Sequence, residues 1–133
     1  SATSGYVQIT SPTATGSGAS GYMVFSSGGA GGGNSGSISI GSGDALGGSG
    51  GSIFLTVGTS AAANGGQLML GAGDTATNSG SGGVVSIVSG EGDSLNADSG
   101  DVEICTPNSG SGGISGSIVM RSGQAIAGLS GGI

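Results

Sequence analysis

The chain has 133 residues, 35 of them glycine, with seven carboxylates, Arg121 as the sole cation, no histidine and a formal net charge of −6. This balance excludes the Lys/Arg patch that nucleic acid requires, disfavours anionic membrane surfaces, and leaves no base for a Ser-His-Asp triad or a Ser-Lys dyad. Only 6% of residues are charged, yet 34% are hydrophobic, too many for a flexible Gly/Ser linker.

The apolar residues come in clusters, each led by a glycine: Gly5, Gly21, Gly36, Gly51, Gly66, Gly83, Gly100, Gly116 and Gly131. The spacing is 15–17 residues throughout, which is the signature of a tandem repeat. Counted from each glycine, the second place holds Val7, Met23, Ile38, Ile53, Leu68, Val85, Val102 and Ile118, with Ile133 in the ninth repeat. The fourth holds Ile9, Phe25, Ile40, Leu55, Leu70, Ile87, Ile104 and Met120. The sixth is mostly small: Ser11, Ser27, Ser42, Val57, Ala72, Ser89, Thr106 and Ser122. The seventh is Gly28, Gly43, Gly58, Gly73, Gly90 or Gly123, and Pro12 or Pro107 in the other two repeats.

Apolar side chains two residues apart point to a half-buried β-strand, and the Gly/Pro column to a turn. The expected fold is therefore all-β: a single-stranded-coil parallel β-solenoid, or β-helix, of about 15–17 residues per coil, with eight coils and the start of a ninth. Residues 1–133 are expected to form one continuous repeat domain. The second and fourth places would be its core ladder, stacked at about 4.8 Å per coil. An antiparallel meander is a weaker choice, because its connections would not need constant length. Ser130–Ile133 repeat the opening of a further unit and no capping sequence is visible, so an excerpt of a longer array, or a unit that stacks on its own copies, is expected.

On the outward strand places stand Tyr6, Tyr22, Val24, Phe54, Met69 and Val119, where a one-sided sheet ordinarily carries polar residues. These are the candidates for lateral contact. Ice binding, which by analogy wants a regular threonine wall, finds no Thr-x-Thr ladder here. At the eighth place Asp74, Glu91 and Asn108 fall on successive repeats and offer hard oxygen ligands for Ca²⁺. The calcium-binding nonapeptide pattern is absent, and acids in turns are ordinarily solvated, so no metal and no cofactor is expected. Cys105 is the only cysteine and can form no internal disulfide. No apolar run approaches the ~20 residues that cross a bilayer.

The repeat, best seen at Ser35–Ser49 and Ser115–Ser130, resembles the long Gly/Ser-rich tandem-repeat proteins of algae and aquatic microbes, and more loosely the stalks of adhesins. That resemblance implies an extracellular or cell-surface structural component. The expectation is a non-enzymatic, self-assembling fibre or filament subunit whose main partner is itself, with glycans or matrix proteins as further contacts. A passive adhesin stalk and an ice- or ligand-binding solenoid are the alternatives.

Overall fold

The structure, a computed structural model, describes residues 4–133. It overturns the β-solenoid. Among the described residues there is neither a strand nor a helix, and the chain is coil punctuated by bends. Its accessible surface is 12934 Å², against about 6,000 Å² for a compact monomer of this mass. No large hydrophobic residue among those described is buried. The β-helix, and with it the 4.8 Å ladder of matched strands, is withdrawn.

The physical reason lies in the composition. Each repeat offers two large apolar side chains, at its second and fourth places, in return for ordering 15–17 residues. More than a quarter of those residues are glycine, which loses the most conformational freedom on ordering and contributes no side-chain burial. Alternation alone specifies which way side chains would point in a strand; it does not supply the stability that pairs one strand with the next.

What remains of the repeat is local. The chain bends once per repeat, at residues 16–17, 31–33, 46–48, 61–63, 77–79, 94–96, 111–112 and 126–128. These bends lie ten to thirteen places after the leading glycine, past the Gly/Pro column where the sequence pattern put the turn. Three are closed by a backbone bond from residue i+3 to residue i: Gly80 N–H to the Thr77 carbonyl (3.4 Å), Ala97 to Ser94 (2.9 Å) and Gly113 to Gly110 (3.0 Å). Positive φ occurs in these bends, at Gly16 (71°), Asn96 (68°) and Gly112 (87°), residue types that adopt the left-handed region at low cost.

A second regularity closes a loop in every repeat. The residue at the sixth place returns to the leading glycine of the following repeat, nine to eleven residues on. A methyl group placed on that glycine would lie 3.5 Å from Ser11 at Gly21, 3.5 Å from Ser27 at Gly36, 3.3 Å from Ser42 at Gly51 and 2.7 Å from Val57 at Gly66. The same holds for Gly83 over Ala72 (3.2 Å), Gly100 over Ser89 (3.6 Å), Gly116 over Thr106 (3.3 Å) and Gly131 over Ser122 (3.8 Å). The approach is tighter than ordinary contact at Gly51, Gly66, Gly83 and Gly116, where a side chain on the glycine would push the neighbour aside, and is ordinary van der Waals contact at Gly21, Gly36, Gly100 and Gly131. Hydrogen bonds reinforce some closures. Gly83 N–H donates to the Gly73 carbonyl and Gly100 N–H to the Gly90 carbonyl, both at 2.9 Å. The Ser11 hydroxyl donates to the Gly21 carbonyl (3.2 Å) and the Thr106 hydroxyl to the Gly116 carbonyl (3.1 Å).

The chain divides into two units, Ser1–Gly66 and Gln67–Ile133. Each contains four of the closed loops, and they differ in chemistry more than in local geometry.

Candidate functional site

The feature with functional content is the exposed apolar surface. Its grading follows the repeat. From Met23 to Ile118, the second-place residues are 44–58% exposed, and the fourth-place residues from Ile9 to Met120 are 63–73% exposed. The second-place residues of the first and last repeats fall outside this range: Val7, which no described closure precedes, is 89% exposed, and Ile133 is 85% exposed although the Gly131 closure precedes it. The sixteen positions of the expected core ladder are thus partly shielded at best.

The lateral-contact candidates stand further out. Tyr6, Tyr22, Phe54 and Met69 are more than four-fifths exposed, and Val24 and Val119 about three-fifths. The sequence pattern missed a third set, Leu46, Leu95, Ile114, Ile126 and Leu129, which lie at or near the bends and are essentially fully exposed. The signal that would have found them is their isolation: single aliphatics between glycines and small residues, outside the alternating clusters. With every column open, the inward and outward distinction becomes one of degree.

Among the described residues no three carboxylate or thiol side chains come together in a way that would hold a metal ion, and Asp74, Glu91 and Asn108 are all exposed. The bend at 94–96 folds the backbone back on Gly92, where an added methyl would meet the Ala97 and Asp98 carbonyl oxygens at 2.5 and 2.7 Å. That is a tight loop closed on itself. Cys105 is a free, exposed thiol. A shallow open depression at Ser11, Pro12, Thr13, Ala14, Gly18 and Ser20 presents hydroxyls and backbone, with no charged group among its lining residues.

No family model, curated protein or solved structure matches this chain. The functional reading therefore rests on its own residues. They offer a repetitive array of uncovered aliphatic and aromatic side chains carried on solvated Gly/Ser backbone.

No helix among the described residues is long and apolar enough to cross a membrane.

Proposed function

We propose that this chain is a structural protein that assembles with copies of itself into an extracellular fibre or surface appendage, its exposed apolar side chains forming the contacts. The observation that carries this reading is the uncovered state of the large hydrophobic residues in repeat after repeat. Apolar side chains left open to water at the same places in successive repeats offer a recurring surface for association. Association also supplies what a single chain lacks: apolar area covered between copies contributes about 25 cal/mol per Å², against the ordering that each contact requires. The absence of histidine and lysine supports a non-catalytic role.

The test is assembly of the purified chain. Sedimentation velocity across a hundredfold concentration range, with electron microscopy of the same samples, is expected to show concentration-dependent growth ending in filaments. Isolated, non-associating particles at every concentration would favour the passive spacer and refute self-assembly.

A further inference from the structure

The apolar residues are spread along the chain, but the aromatic and charged ones are not. All four aromatic side chains, Tyr6, Tyr22, Phe25 and Phe54, fall in the unit Ser1–Gly66, whose only charged side chain is Asp44. The unit Gln67–Ile133 has no aromatic residue and holds the other six carboxylates, offset only by Arg121. The formal charges are therefore −1 for the first unit and −5 for the second, which together give the −6 of the whole chain.

We propose that the first contact between two copies is made by residues 4–66 of each, the aromatic-bearing and nearly uncharged segment of one against its equivalent, and that the acidic unit is left out of this contact and governs growth beyond it. The proposal rests on the self-assembly reading above. Coulomb repulsion scales with the product of the two charges. First unit against first unit gives a product of one, first against second five, and second against second twenty-five. Attraction favours the same pairing, because aromatic residues dominate interface energies for their size and their low entropic cost. Tyr6, Tyr22 and Phe54 are all more than four-fifths exposed, so each has most of its surface still to cover. A self-complementary patch closes as a two-fold dimer. Fibre growth then needs a second contact, from the acidic unit, and that contact strengthens as its charge is screened or neutralised.

The intact chain carries its own probes. Both tyrosines lie in the first unit and the single thiol, Cys105, in the second. Dimer formation is expected to reduce acrylamide quenching of tyrosine fluorescence while leaving the labelling rate of Cys105 unchanged. The paired substitution Tyr22→Ser/Phe54→Ser is expected to weaken dimerisation about tenfold or more. The matched pair Val84→Ser/Val88→Ser in the second unit, both more than four-fifths exposed and equally neutral in charge, is expected to weaken it far less. The proposal is overturned if Cys105 is protected as strongly as the tyrosines, or if the second-unit pair weakens dimerisation as much as the first. A wild-type chain that stays monomeric throughout overturns the self-assembly reading itself. Association with the two units contributing equally overturns only the assignment to residues 4–66.

Discussion

Substituting Gly92 by alanine should open the loop between Gly90 and Gly100, and substituting Gly90 should not. The new methyl at position 92 would lie 2.5 Å from the Ala97 carbonyl oxygen and 2.8 Å from its carbonyl carbon. Real Cβ atoms essentially never come closer than 3.0 Å to such neighbours, and the obstacle is backbone, which cannot rotate away as a side-chain tip can. The closure is held by Gly100 N–H on the Gly90 carbonyl and Ala97 N–H on the Ser94 carbonyl. Each such bond contributes about 0.5–1.5 kcal/mol net, too little to force the overlap. At Gly90 nothing lies within 4 Å of the added methyl. Gly90→Ala only narrows the unfolded ensemble, which stabilises by about 0.4–1 kcal/mol, or roughly two- to fivefold in an equilibrium. Amide hydrogen exchange measured by NMR at Gly100 and Ala97 reads both effects. Gly92→Ala is expected to abolish protection at these amides, and Gly90→Ala to raise it by that factor. Unchanged protection in Gly92→Ala would refute the loop geometry.

Further outcomes follow from the same observations. Gly112→Ala, at φ 87°, should cost about 1–2 kcal/mol at the 110–113 turn and Gly112→Asn less, read from exchange at the Gly113 amide. Thr106→Val keeps the shape of the side chain but removes the hydroxyl that donates to the Gly116 carbonyl; the Gly116 carbonyl shift should move, with a loss of at most about 1 kcal/mol at this exposed site. Assembly beyond the dimer should increase as pH falls from 7 towards the isoelectric point of about 4.1, because protonating carboxylates removes the negative charge that separates copies; added salt at pH 7 should act in the same direction. Light scattering checks both, and growth that weakens under either condition would contradict a charge-gated second contact. The Cys105 thiol of the unassembled chain, free and exposed, should react with a thiol reagent in buffer nearly as fast as in denaturant; marked slowing in buffer would show that it is covered.

Reading the repeat from sequence succeeded for relationships between near neighbours and failed for pairing between repeats. The leading glycine and the small sixth-place residue were recognisable as columns, and the structure brings the two together in every repeat, with the tight closures at Gly51, Gly83 and Gly116 leaving little room for a side chain. The bends recur at the repeat spacing but fall at 46–48 and 126–128, after the Gly/Pro column, because a glycine permits a turn without compelling one. Alternation at pairs such as Ile38/Ile40 and Val102/Ile104 was read as strand, yet neither pair is buried and neither lies in a strand. A strand needs a neighbour to bond with, and alternation in one segment says nothing about whether that neighbour lies alongside.

By itself, the sequence determined the period, the composition of each column, and the separation of aromatic from acidic residues between the two halves. These are local or additive properties that any conformation must carry. Only the tertiary structure decided that the aliphatic columns stay uncovered and that the backbone closes in loops of nine to eleven residues instead of a ladder. That outcome depends on a small difference between the entropy of a glycine-rich chain and the apolar area it manages to cover, a difference that a pattern of residue types does not contain.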